Sequence, residues 1–210
     1  MKYNLILISA VIAILLIMAY SNHWNNDFHF DDSHTVQNNI FIRSIKNIPL
    51  FFKDCSTFSS IPSHGSYRPV VSTTLALDYF LAQTFSGNGY QTFWYHLSTF
   101  IFFLLQLFLM YFFYAKILST TQNNSGYRLV GLFAVGWYAL NPVMAETINY
   151  VISRSDSIST FFRDTSFYAL SICARCKKIL FVSNSSIYWC SCKTNSLNVC
   201  TYVGCLSHSL

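Results

Sequence analysis

The sequence predicts an all-α integral-membrane fold, a multi-span helical bundle fragment with a long outer loop carrying interfacial helices. Three observations predict it. Of 210 residues, 53% are apolar and 10% are charged, against about 25% charged in ordinary soluble domains. Aromatic residues reach 18%, with 20 Phe and 14 Tyr. Finally, apolar runs long enough to cross a bilayer recur, and the clearest, Phe93 to Tyr114, contains no charged residue. The net charge of +5 is spread along the chain without a basic block. Nucleic-acid binding therefore has no support, because phosphate contacts need clustered Lys and Arg.

The first expected span covers about residues 3–20. Lys2 precedes the apolar run, and Ser21-Asn22-His23-Trp24-Asn25 follows it with no small-x-small cleavage site. That favours an uncleaved anchor over a signal peptide. Residues 21–92 form the long loop. Within Asn39 to Phe52, Ile42, Ile45 and Ile48 recur at helical spacing with Arg43, Lys46 and Asn47 between them. A short helix on the membrane surface fits, ended by Pro49, and a core-facing helix fits equally well. Cys55 to Gly65 reads as a loop. The apolar stretch from Tyr67-Arg68-Pro69-Val70 to Phe85 is broken by Asp78 and reads as an interfacial or re-entrant helix. Ser86-Gly87-Asn88-Gly89 reads as a turn.

The second span is expected over about 93–115. Residues 116–128 carry Lys116 and Arg128 with no acid, which marks a cytoplasmic loop under the positive-inside rule. The loop 21–92 then lies on the non-cytoplasmic side. Asn123-Asn124-Ser125 matches a glycosylation sequon that such a loop would never present, and Asn184-Ser185-Ser186 is a second match. A short third span, about 128–141, returns outward and ends at Asn141-Pro142, with Tyr127 and Arg128 reaching the interface. Glu146, Arg154 and Asp156 then fall on the same side as Asp31 and Asp32.

Asp31 and Asp32, soon after the first span, are the leading site candidates. Carboxylates beside a membrane are costly facing lipid, so they face water, a partner or a substrate. On an extended segment, neighbours point opposite ways, so the pair is expected to divide roles. A purely structural alternative has Asp31 capping a helix that starts near Ser33. His29 and His34 flank the pair without metal-ligand spacing and read as surface histidines. His96 reads as an interface residue at a helix start.

Several stretches together resemble one family. They are His29-Phe30-Asp31-Asp32 with Asn38-Asn39; Tyr67-Arg68-Pro69-Val70; Tyr95-His96-Leu97-Ser98; and Asn141-Pro142-Val143-Met144-Ala145-Glu146-Thr147-Ile148 running into Ser153-Arg154-Ser155-Asp156. In order and spacing they resemble the amino-terminal part of GT-C fold membrane glycosyltransferases. The likeness is to the tetratricopeptide-containing transmembrane O-mannosyltransferases and their bacterial relatives, over residues 1 to about 162. One departure is that Asn141-Pro142 stands where the family usually has His-Pro.

The resemblance implies transfer of a sugar, mannose, from a polyprenyl- or dolichyl-phosphate donor to a protein hydroxyl. It implies a bacterial inner membrane or endoplasmic reticulum location. The partners are then the lipid-phosphate-linked sugar donor, a protein acceptor and membrane lipids. Asp31 and Asp32 become the catalytic acids by position. One takes the acceptor proton; the other orients it or binds a divalent cation, Mg or Mn, that neutralises phosphate. Arg68 and Arg154 are assigned to donor phosphate, since a guanidinium forks onto phosphate oxygens. Glu146 and Asp156 are supporting acids, with Glu146 facing Arg154 or Asp156 and expected in a structural role such as pairing with Arg154 rather than in direct catalysis. The competing class is a non-catalytic membrane protein, a small scaffold or transporter piece, in which the acids only cap and pair.

After Phe162 the character changes. Six of seven cysteines fall between Cys173 and Cys205, and long apolar runs stop. Cys173-Ala174-Arg175-Cys176 has the spacing of half a zinc site, and Cys190-Ser191-Cys192 does not complete it. Reverse translation of Cys190 to Leu210, shifted by one base, permits an apolar span led by Lys-Pro-Thr. The tail 163–210 is thus read as out of frame, without a defined domain, irregular or poorly packed, and part of a truncated chain that lacks activity.

Overall fold

The computed structural model describes residues 2–121, 126–172, 179–183, 186–192 and 200–206. Up to Ile172 the fold is all-α: α1 (Lys2–Ala19), α2 (Ile48–Phe51), α3 (Pro69–Ser86), α4 (Thr92–Thr121), α5 (Tyr127–Ala139), α6 (Met144–Asn149) and α7 (Arg154–Ile172). Short 3-10 turns and one π-type turn, Ser33–Gln37, fill the long loop. The chain divides into two compact units. The first holds Met1–Ala19, Leu104–Asn141 and Ser159–Leu210; the second holds Tyr20–Phe103 and Pro142–Ile158.

Two stretches are helical, long and apolar enough to cross a membrane, Leu5–Asn25 and Thr92–Thr120. They match the first two expected spans. In the first unit, α1 turns Leu7, Ile14, Ile17 and Met18 outward, as a helix in lipid does. The third expected span corresponds to α5, whose 13 residues give about 20 Å against a hydrocarbon core of about 30 Å. Close packing there uses small residues. A Cβ added at Gly136 would meet Ile12 Cδ1 at 2.9 Å, and one at Gly131 would meet the Ala115 backbone nitrogen at 3.5 Å. Gln106 donates to the Tyr138 hydroxyl at 2.8 Å. The asparagines of both sequons lie outside the described residues.

In the second unit, α3 is the central helix. Pro69 opens it, suited to a position whose N–H has no helical acceptor. Gly87, at φ 68°, closes it in the left-handed conformation a side chain would strain. Its inward face buries Val71, Leu75, Ala76 and Ala82 with Ile42 and Tyr95. The helix expected around Ile42, Ile45 and Ile48 is corrected. The segment is two 3-10 turns, Phe41–Arg43 and Ile45–Asn47, followed by α2. Ser44 is extended between the turns, with its hydroxyl accepting from Lys46 N–H. Ile42 therefore enters the core, while Ile45 stays exposed. Pro49 sits in the first turn of α2 rather than ending a helix. Asn39 ties the loop down, donating to the Thr57 and Phe58 carbonyls and accepting from Phe41 N–H.

His96 is fully buried rather than interfacial. Its Nε2 bonds the Asn26 carbonyl at 2.9 Å, and His23 Nε2 bonds the His96 carbonyl at 2.9 Å. Asn26 donates to Asn149 Oδ1 at 2.9 Å, which joins α6 to the same network.

Beyond Ile172 the backbone forms a three-stranded antiparallel meander, β1 (Ile179–Ser183), β2 (Ser186–Cys192) and β3 (Cys200–Leu206). Ile179 pairs with Cys190, and Cys192 with Cys200. Among the described residues of the tail, these strands are regular in backbone. Each segment carries three β-branched or aromatic residues, types that favour strands. Cys173 and Cys176 lie outside the described residues.

Candidate functional site

The candidate residues around Asp31 belong to the second unit. Phe30 carries a left-handed backbone, φ 45°, uncommon for a bulky residue. It turns the chain so that the two following carboxylates separate. Asp32 goes inward and is fully buried. Its Oδ2 accepts the His29 N–H at 3.1 Å and its Oδ1 the Ile152 N–H at 3.0 Å. Burial raises the Asp32 carboxyl above the usual range, opposed by those two amides and by the Arg154 charge. Asp31 goes outward, with its side chain 61% exposed.

The main chain of Asp31 is held from both sides. Its N–H donates to the Tyr150 hydroxyl at 3.0 Å, and its carbonyl accepts from His34 N–H, Thr35 N–H and the Thr35 hydroxyl. The side chain does not cap the turn after it; the carbonyl does that work. Tyr150 has its hydroxyl pKa pushed up to about 12, chiefly by burial.

His34, expected at the surface, is buried. Its Nε2 lies 3.4 Å from Asp31 Oδ1, without well-aligned hydrogen-bond geometry. Its Nδ1 is 3.0 Å from the Ser59 hydroxyl, which also accepts the Ile61 N–H at 2.9 Å. The His64 ring stands edge-on to it at 4.9 Å.

Asp31, His34, Thr35, His64 and Arg68 line one open cleft of about 240 Å³. Arg68 precedes α3 at its N-terminus and lies over the Phe58 ring at 5.4 Å. Its Nη1 donates to the Ser155 hydroxyl at 3.3 Å, in the first turn of α7. Its Nε–H is buried with no acceptor. Arg68 thus stands where two helix N-termini meet, a place that favours negative charge.

Arg154 does not face this cleft. It is fully buried, and Nη1 pairs with Asp78 and donates to Ser98 Oγ. Nη2 donates to the Tyr95 carbonyl and Nε to the Val151 carbonyl, both at 3.0 Å. Four of the five guanidinium N–H groups are accounted for in this way, so the assignment of Arg154 to donor phosphate is corrected. The expected Glu146–Arg154 pair is corrected with it, because Asp78 on α3 is the partner. Burial raises the Asp78 carboxyl, against the pull of Arg154 and the Ser98 hydroxyl. Glu146 is exposed and lines a second cleft of about 320 Å³ with His29, Phe30, Asn149 and Tyr150. Asp156 is exposed in the first turn of α7, 3.5 Å from the Ser155 hydroxyl.

Of the six candidates, the structure brings Asp31 and Arg68 to one cleft and puts Asp32 and Arg154 behind it. The sequence placed His34 at the surface and Asp78 as a break in an apolar helix, and singled out neither Ser59 nor Tyr150. Only Asp78 left a signal, as the single carboxylate in an apolar stretch. Among the described residues no group of three or more His, Cys, Asp and Glu is placed to hold a metal. Asp31 and Asp32 diverge, and both Asp32 oxygens face backbone N–H groups, so this donor set does not fit a divalent cation.

No family model matches the chain, and no solved structure matches it. Among curated proteins, the chain is 27% identical to Protein O-mannosyl-transferase TMTC4 of Mus musculus over 192 residues, 85% of this chain and 25% of that protein. The human (Homo sapiens) Protein O-mannosyl-transferase TMTC4 is 27% identical over 176 residues, covering 80% of this chain and 22% of that protein. Protein O-mannosyl-transferase F38B6.6 of Caenorhabditis elegans is 28% identical over 155 residues, covering 72% and 21%. The chain therefore spans about a quarter or less of the length of these relatives. The mouse match covers more of the chain than residues 1–162 alone make up. Over these stretches the chain is similar to protein O-mannosyl-transferases.

Proposed function

We propose that the chain is the amino-terminal part of a membrane glycosyltransferase of the GT-C type. It transfers mannose from a polyprenyl- or dolichyl-phosphate donor to a protein hydroxyl, on the non-cytoplasmic side of the membrane. The observation that carries this reading is the cleft that holds Asp31 and Arg68 together, with two helix N-termini beside Arg68. The names of the similar proteins supply the sugar and the acceptor class.

In this reading, Arg68 binds the donor phosphate, and its orphan Nε–H gains an acceptor. The acceptor oxygen attacks the sugar anomeric carbon, and the bond from that carbon to the phosphate oxygen breaks with its electron pair on phosphate. The acceptor proton passes to the Asp31 carboxylate, which solvent can later relieve. Asp32 acts behind Asp31 by fixing the turn, rather than by touching substrate. No step runs through a metal ion. Because the chain covers a quarter or less of the similar proteins, transfer is assigned to a protein carrying the remaining spans. An altered reading frame after about Phe162 remains part of this proposal, and sequencing the DNA across that codon tests it.

The test of function uses the full-length mouse relative, with the residue aligned to Asp31 changed to Asn. Mannose transfer from a lipid phosphate to an acceptor peptide should fall by about 100-fold or more, as loss of a general base predicts. Undiminished transfer removes the catalytic reading. The second reading, a non-catalytic membrane protein, draws on Asp32 and Asp78, two buried acids with purely structural partners. It predicts no binding of the lipid-phosphate sugar by the chain.

A further inference from the structure

We propose that His34 is a positioning residue for Asp31, fixed by Ser59 in the tautomer that carries its proton on Nε2. The inference deepens the reading of Asp31 as the base and rests on it for its catalytic meaning, though not for its geometry. Ser59 is buried, and its oxygen already accepts the Ile61 N–H at 2.9 Å. Its own proton needs an acceptor, and His34 Nδ1 lies 3.0 Å away. If Nδ1 carried the proton instead, the Ser59 hydroxyl would be left buried without an acceptor, and the Nε2 lone pair would face a carboxylate. Both faults are costly in a buried site. With Nδ1 accepting, the Ser59 proton has its acceptor, and the buried Nε2–H, which has no hydrogen-bond partner, lies 3.4 Å from Asp31 Oδ1.

The consequence is directional. The His34 Nε2–H approaches one Asp31 oxygen, and the Tyr150 hydroxyl also reaches the Asp31 carboxylate. The backbone of Asp31 is pinned by Tyr150, His34 and Thr35, so the carboxylate turns about few bonds. During transfer the acceptor proton goes to the Asp31 carboxylate while Nε2–H stays on His34. His34 donates throughout and changes no charge. The other groups facing His34 in the cleft are His64, edge-on at 4.9 Å, and Arg68. His64 is exposed and does not compete for either ring nitrogen in this arrangement.

The experiment is nitrogen NMR of the chain in lipid nanodiscs with 15N-labelled histidine, above the pH at which imidazolium persists. The expected His34 signature is a protonated Nε2 and an unprotonated Nδ1. Asp31→Asn should move the Nε2 resonance and leave Nδ1 in place, and Ser59→Ala should produce a mixture of tautomers. A His34 with its proton on Nδ1, or an Nε2 resonance indifferent to Asp31→Asn, overturns the proposal. A second arm separates it from the functional reading. In the full-length relative, the residue aligned with His34 changed to Ala should lower kcat at least tenfold with KM unchanged, and Gln, which restores an N–H donor, should recover part of it. If the Asn variant at the Asp31 position transfers normally, the functional reading fails while the NMR result still decides His34. If that variant is inactive and the Ala variant at the His34 position turns over normally, only the proposal about His34 fails.

Discussion

Asp32 holds two backbone amides that have no other acceptor, so its removal is a stability experiment. Asp32→Ala leaves the His29 and Ile152 N–H groups unpaired, at a cost of about 1–3 kcal/mol for each such buried donor. Thermal unfolding should show a loss of about 2–6 kcal/mol. Asp31→Ala, with its exposed carboxylate, should leave unfolding unchanged within about 0.5 kcal/mol. The contrast between neighbours is the residue-scale content of the structure. The two adjacent carboxylates stand out in the sequence because charge beside an apolar span is rare. The expectation that the pair divides roles rested on an extended segment, whereas the segment is a turn that sends Asp32 inward and Asp31 outward. Which acid goes inward was not legible. It depends on the Phe30 backbone at φ 45° and on an amide 120 residues away. The burial of His34 likewise depends on Ser59, 25 residues on.

Arg154 joins three helices. It starts α7, pairs with Asp78 on α3, and donates to Ser98 and the Tyr95 carbonyl on α4. Removing one partner of a buried pair leaves the other charge uncompensated and costs about 3–5 kcal/mol. Arg154→Met and Asp78→Leu should each cost about that much, and the double variant should cost less than either alone. A double-mutant cycle by chemical unfolding checks this, and additive losses would contradict the pairing. At the α3–α4 connection, a Cβ on Gly89 would sit 2.4 Å from the Tyr79 ring. Gly89→Ala should therefore destabilise by about 1–3 kcal/mol. The long apolar helices were legible because composition alone makes them. The isoleucine period at 42, 45 and 48 misled, because one extended residue, Ser44, resets the face. Arg154 misled because its partner lies 76 residues away in a stretch that reads as apolar.

At the scale of the whole molecule, the chain combines two membrane-length helices with a folded loop that presents an acid and an arginine to one cleft. Its likeness to protein O-mannosyl-transferases covers most of its length and a quarter or less of theirs. The central claim is that the Arg68 cleft receives a lipid-linked sugar phosphate. Binding of a polyprenyl-phosphate mannose to the chain in nanodiscs, compared with Arg68→Ala, tests it most directly. Losing a charge-assisted phosphate contact of about 1.5–3 kcal/mol should weaken binding roughly tenfold to 100-fold, while Arg43→Ala, at an exposed loop position, should leave it unchanged. Equal affinity of Arg68→Ala and the unaltered chain would contradict the account.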